Sequence, residues 1–192
     1  MLNIAVEGES DREAARAVVT AAGHEVGKIV VAGGNTKLDP KIPKYNRAAE
    51  YGPGWVVFRD ADADCPVELR RQLTTGMIPG DRFQLRIAKS MTEAWLLADR
   101  EGFAEYFKVR VKVVPEDPES LPHAKRTVLD IVGRNAAKSV RSEVVTSSGE
   151  TGPLYVYRIN DFARDRWDVV AAAERSPSLA RAVARIRELP QN

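Results

Sequence analysis

The chain has 192 residues, of which 44% are hydrophobic; about 84 apolar side chains suffice for one sizeable core and fall short of two full domains. Charged residues make up 29%, with 29 Lys and Arg against 27 Asp and Glu for a net charge of +2, and there are 13 Gly and 11 Pro. These values exclude a disordered chain, a collagen-like repeat and a strongly basic coat protein.

The one cysteine, Cys65, has no intramolecular disulfide partner, and with only His24 and His123 beside it no Cys/His zinc site can be assembled. Any metal would be held by oxygen. Leu2-Asn3-Ile4-Ala5-Val6-Glu7 follows Met1 without a basic segment, and nowhere do about 18 apolar residues run together, so a cytoplasmic protein without a membrane partner is expected.

Leu2 to Val6 reads as a short strand stopped at Glu7-Gly8. Ser10 with Glu13 has capping-box spacing, and Ala14, Ala15, Val18, Val19 and Ala22 then repeat at helical period until Gly23. Ile29 to Val31 is a second strand, and the polar stretch from Ala32 to Pro40 reads as a loop. Trp55-Val56-Val57-Phe58 is a continuous apolar run, the pattern of a parallel strand buried on both faces, and it leads directly into Arg59-Asp60-Ala61-Asp62-Ala63-Asp64. Pro66 opens a helix to about Leu73. Phe83, Leu85 and Ile87 alternate with Gln84 and Arg86, as in a strand exposed on one side, and Ser90 with Glu93 offers another capping box before Trp95-Leu96-Leu97-Ala98.

Strands alternating with helices predict an α/β fold with a mostly parallel sheet flanked by helices over residues 1–114. Pro115, Pro118 and Pro122 mark a boundary, and residues 115–192 read as a helical extension packed on that core, with helices at Arg126 to Val132, Arg164 to Glu174 and Ser178 to Leu189. No internal repeat is present.

Open parallel sheets carry their ligand sites at the carboxyl ends of the strands, where this sequence puts Glu7, Asp60, Asp62 and Asp64. In extended chain, residues two apart share a face, so Asp60 and Asp62 are expected to point to one place and to repel without a cation. Magnesium suits such a set, being a hard ion that needs few carboxylates and keeps waters for chemistry. The plainer reading, acidic residues that cap the next helix or solvate a loop, applies most directly to Asp64.

Val6-Glu7-Gly8-Glu9-Ser10-Asp11, with Val57-Phe58-Arg59-Asp60-Ala61-Asp62-Ala63-Asp64 downstream, resembles the Toprim pattern of topoisomerases, primases and overcoming-lysogenization-defect nucleases. Met91-Thr92-Glu93-Ala94-Trp95-Leu96-Leu97-Ala98-Asp99, Asp117-Pro118-Glu119 with Lys125 beyond, and Ser176-Pro177-Ser178-Leu179 further resemble a family of small Toprim-like bacterial proteins, and together these segments span nearly the whole chain. The resemblance implies Mg2+- or Mn2+-dependent phosphodiester chemistry on DNA or RNA, with Glu7, Asp60 and Asp62 holding the metal. It implies Asp11 as a further ligand, Glu93 and Lys125 as completing the catalytic set with Glu7, and an ATPase partner in phage defence.

Glu93 also fits a return to its own helix terminus, and Lys89 either meets phosphate or is solvated. Cys65 reads as structural, because neighbouring carboxylates oppose thiolate formation. His24 and His123 read as helix-end and turn residues. From Lys125 to Arg141 the local charge is +4, which makes Arg134, Lys138 and Arg141 the expected nucleic-acid-binding residues, although charge runs are usually solvated faces. Trp55, Trp95 and Trp167 read as core. Two functions stand: a metal-dependent nuclease, and a non-catalytic metal-binding regulatory or toxin-like partner subunit. A receiver-like phosphoacceptor built on Asp60 and Lys89 fits less well, because Glu7-Gly8 replaces an acidic pair. Self-association stays open.

Overall fold

The computed structural model describes residues 1–191. Four strands, β1 (Leu2–Val6), β2 (Val26–Val31), β3 (Gly54–Asp60) and β4 (Phe83–Ala88), form one parallel sheet in the order β2-β1-β3-β4. The expected α/β architecture is therefore present, and the strands that end at Glu7 and Asp60 are neighbours, with Leu2 opposite Gly54 and Ala5 opposite Val57.

The helices are α1 (Arg12–Ala21), α2 (Asn35–Leu38), α3 (Ile42–Tyr51), α4 (Pro66–Leu73), α5 (Thr92–Ala98), α6 (Arg100–Phe107), α7 (Ala124–Asn135), α8 (Lys138–Val144), α9 (Tyr155–Asp165), α10 (Val169–Arg175) and α11 (Pro177–Arg187). Helix α2 and a 3-10 turn at Asp39–Lys41 occupy the stretch from Ala32 to Pro40 that reads as a loop, and α3 follows them. Ile42, Tyr45 and Ala49 are buried at helical spacing and pack with Trp55, Val57, Phe83 and Leu85 on one face of the sheet. Leu2, Ile4, Val6, Val56 and Phe58 face the other way, into a larger core shared with α1, α5 to α7 and α9 to α11. Strand β3 is buried on both faces, as its unbroken apolar run requires.

The helix expected over Arg164 to Glu174 is instead two, α9 ending at Asp165 and α10 beginning at Val169. Trp167 is buried at the bend, and Asp168 caps α10 by accepting from the N–H groups of Val170 and Ala171. Both capping boxes read from sequence are absent. Glu13 pairs with Arg16 at 3.0 Å, and the reciprocal bonds run from Gly8 N to Asp11 Oδ2 (2.7 Å) and from Asp11 N to Gly8 O (3.2 Å). At α5, Ser90 lies at φ +67° with its hydroxyl buried and without a hydrogen-bond partner, and Glu93 turns away from its own helix terminus.

The three segments that carry the wider resemblance meet in space. Ser178 Oγ accepts from Trp95 Nε1 at 2.7 Å, and Glu119 Oε1 accepts from Ser176 Oγ and, at 2.8 Å, from Ser178 N. Asp99 accepts from Gly102 N and Asp168 N, both at 2.9 Å. These residues thus tie α5, the turn at Pro118–Ser120, α10 and α11 together, which accounts for their presence by packing.

Candidate functional site

The site forms where β1 and β3 end. The backbone carbonyl of Glu7 accepts from Gly33 N (2.9 Å) and Gly34 N (3.0 Å), which both lie at positive φ, +82° and +111°. Two consecutive glycines give this closure its backbone freedom. One turn on, Asp11 folds back over Gly8, where even a Cβ would stand 3.3 Å from the carboxylate. Asn160 of α9 clamps the start of α1, accepting from Glu13 N at 3.1 Å and donating to Glu9 O at 2.9 Å.

Asp60, at the end of β3, accepts from both Thr92 N (2.9 Å) and Thr92 Oγ1 (2.8 Å), so it caps α5 from another element. Glu93, the next residue, accepts from Tyr155 OH at 2.8 Å. Lys125 Nζ lies 5.0 Å from the centroid of the Tyr155 ring, a cation–π distance that brings it beside Glu93's partner.

Electrostatics show which carboxylates share the space. Burial raises the Asp11 carboxyl to about 7, and the charges of Glu93 and Glu7 add to the rise against the Gly8 N–H. Asp60 is held well above the ordinary carboxylate range, first by burial and then by Asp11 and Glu93, against the bond from Thr92. Burial raises Glu7 as well, with Arg59 opposing. Burial and then Glu93 raise the Tyr155 phenol. Glu7, Asp11, Asp60 and Glu93 therefore act on one another within one buried acidic site.

Asp62 takes a different position. The chain leaves extended geometry at Ala61, Asp62 sits at φ +52°, and its N–H donates to Ser90 O at 2.7 Å. The shared face expected for Asp60 and Asp62 does not form. Asp62 meets Arg59 instead, at 3.4 Å, alongside Glu7 at 3.4 Å and Asp39 at 3.1 Å. Arg59 also donates to the Asp60 carbonyl and is only 6% exposed. It is a buried cation that organises three carboxylates, and a charged residue inside an otherwise apolar strand is the signal that points to it.

Among the remaining sequence candidates, Arg134, Lys138 and Arg141 line a separate cavity of about 480 Å3 with the turn at 145–149. Cys65 is exposed at the start of α4, so its expected structural role is not borne by burial, and Asp64 makes no capping bond there. His24 Nε2 bonds Ile186 O at 3.0 Å, and His123 accepts from Arg126 N at 3.4 Å. Thr92, Tyr155 and Arg59 are the site residues the sequence reading lacks.

Among the described residues Glu7 Oε2 is buried without a hydrogen-bond partner and meets the Arg59 guanidinium at 3.4 Å, and the carboxylates of Asp11 and Asp60 beside it are hard oxygen donors that raise one another's proton affinity. That chemistry fits a divalent cation such as Mg2+. Among the described residues, no group of three or more His, Cys, Asp or Glu side chains already stands in a metal-holding arrangement, so binding would require side-chain rotation. No family model, curated protein or solved structure matches the chain. No helix among the described residues is long and apolar enough to cross a membrane.

A pH dependence follows for the metal-free protein. Asp11 holds a proton in the folded state up to about pH 7 but in the unfolded state only up to about its ordinary 3.8, so stability should fall as pH rises through that window. Asp11→Asn should remove part of the slope and stabilise the protein at pH 8 by on the order of 1–2 kcal/mol. Urea denaturation in EDTA at several pH values measures this; a slope unchanged by the substitution would contradict it.

Proposed function

We propose that the protein is a Toprim-like, Mg2+-dependent nuclease or phosphodiester hydrolase. The observation that carries this reading is the convergence of Glu7, Asp11, Asp60 and Glu93 at the carboxyl ends of two adjacent parallel strands, Asp11 and Glu93 buried and Glu7 and Asp60 half-buried, with charges that oppose one another. Glu7 and Asp60 would hold the ion, with Asp62 joining by exchanging Arg59 and with Asp11 serving a second ion. A bound Mg2+ or Mn2+ would supply Lewis acidity at a phosphoryl oxygen and an acidified water.

The chain's own residues supply the rest. Thr92 fixes the Asp60 carboxylate, Tyr155 fixes Glu93, and Arg59 orients Glu7. Glu93 would hold a water, and Lys125 beside Tyr155 would stabilise charge developing on phosphate. In this reading DNA or RNA is the substrate, and an ATPase partner would control access to the site.

A second reading, a metal-binding regulatory or toxin-like subunit without turnover, is favoured by one feature: Asp60 is already committed to Thr92. Cleavage of labelled DNA and RNA with Mg2+ or Mn2+, alone and with any ATPase partner, separates the two. Under the hydrolase reading cleavage is metal-dependent, and Lys125→Ala slows it by roughly 10²-fold or more. Metal binding seen as a raised melting temperature, with no cleavage in any arm, would favour the regulatory subunit.

A further inference from the structure

A cavity of about 820 Å3 runs along β4, the edge strand of the sheet, with α4 on one side and α11 on the other. Gln84 and Arg86 point into it, on the side of the strand opposite Phe83 and Leu85, whose side chains pack against α3. Arg86 is half-buried, and its only hydrogen bond among the described residues is from Nε to its neighbour's carbonyl, Leu85 O, at 2.7 Å. No carboxylate among the described residues pairs with it. Burial lowers its proton affinity to about 10, Arg70 and Arg185 push the same way, and only Glu188 opposes. Glu188 is already joined to Arg185 at 2.9 Å.

Arg70 of α4, Arg181 of α11 and Lys89 just beyond β4 line the same cavity and make no ion pair among the described residues. A half-buried guanidinium surrounded by further cations is costly without a counter-charge, and among the described residues only Glu188, already shared with Arg185, offers one. The excess of cations along the cavity suits an anionic ligand. Arginine forks match phosphate oxygens, which favours phosphate over carboxylate as the ligand group.

The cations are spread along the groove. Arg86 and Lys89 are three residues apart on an extended chain, about 10 Å, and Arg181 and Arg185 are one helical turn apart, about 6 Å. Such a row calls for a row of anions. The groove opens at the carboxyl end of β4, where Ala88 pairs with Asp60 and Lys89 N approaches Ser178 Oγ at 3.4 Å. We propose that this groove holds the sugar-phosphate backbone of a single polynucleotide strand and leads it past Lys89 toward the acidic site. That the bound strand is a substrate rests on the hydrolase reading; that the groove binds it does not.

Fluorescence anisotropy with labelled single-stranded DNA and RNA oligonucleotides, in EDTA so that no turnover occurs, tests the groove alone. Arg86→Gln should weaken binding about tenfold. Because that residue is half-buried, the exposed pair Arg70→Ala/Arg181→Ala is the second variant. With circular dichroism and melting unchanged, it should lower the slope of log K against log salt by about 1.4, at about 0.7 per phosphate contact. Lys41→Ala/Lys44→Ala, exposed at the start of α3 on the other face of the sheet, should leave the slope as it is, and Arg134→Ala/Lys138→Ala measures the separate basic segment. Wild-type binding by the Arg70/Arg181 variant, loss confined to the Arg134/Lys138 variant, or displacement of the oligonucleotide by polyglutamate at equal charge would each overturn the proposal, the last by pointing to an acidic protein partner. Groove-dependent binding without cleavage in Mg2+ would uphold the groove and count against the hydrolase.

Discussion

Asp60→Asn should lower phosphodiester cleavage by about 10³-fold or more while leaving the fold intact. The substitution keeps the shape of the side chain and an oxygen that can still accept from Thr92 N and Thr92 Oγ1, so the start of α5 stays capped. What it removes is the charge. In the metal-free protein that charge is opposed by burial and by Asp11 and Glu93, so its loss should raise stability in EDTA. Activity and stability should thus move in opposite directions, a pattern expected when a group is retained for its chemistry at the expense of the fold. Glu7→Ala should also abolish cleavage, since Glu7 Oε2 has no hydrogen bond among the described residues and only an ion pair at 3.4 Å with Arg59 to exchange for a metal ion. Cleavage assays paired with urea denaturation give both quantities, and an Asp60→Asn protein that cleaves at the wild-type rate would remove Asp60 from the chemistry.

Arg59→Leu should destabilise the protein by about 3 kcal/mol, the low end for breaking a buried ion pair, because its partners are partly exposed. The guanidinium is buried between Glu7, Asp39 and Asp62, whose side chains are 21%, 26% and 43% exposed. Burial alone would lower its proton affinity, but the bond to Asp39 and the charges of Asp39, Glu7 and Asp62 raise it. Without Arg59, these carboxylates repel one another and Glu7 loses the cation it pairs with. Millimolar Mg2+ should restore part of the lost stability by taking over that neutralising role. Chemical denaturation with and without Mg2+ measures this, and a change within about 0.5 kcal/mol would show that Arg59 does not organise the site.

Much of the sheet was legible because its signals are local. A short apolar run ending at Glu7-Gly8, a continuous run into Arg59-Asp60, and the alternation of Phe83, Leu85 and Ile87 each specify a strand on their own terms, and the right-handed crossover rule limits how such strands order. Helix α3 carries a readable pattern at Ile42, Tyr45 and Ala49, but Pro40 reads as the end of a loop when it opens a 3-10 turn that leads into the helix, whose first turn holds Pro43.

The site was legible in part. Glu7, Asp11 and Asp60 stand at strand ends and one turn beyond, where spacing and resemblance place them. The orientation of Asp62 was not, because a residue in the left-handed region breaks the alternation that strand spacing assumes. Glu93 has capping-box spacing, yet Asp60 supplies the cap from another element and frees Glu93 to meet Tyr155, 62 residues away in sequence. Contacts of that kind come from tertiary packing and have no local signature.

The central claim is that the carboxylates gathered where β1 and β3 end bind a divalent cation. Anomalous diffraction from crystals soaked in Mn2+ tests it most directly. A manganese peak should appear bonded to Asp60 together with Glu7 or Asp11, with the side chains rotated to reach it, and should be lost in Asp60→Asn crystals. Manganese bound only to the exposed carboxylates of Asp62 and Asp64, with the buried cluster unchanged, would contradict it.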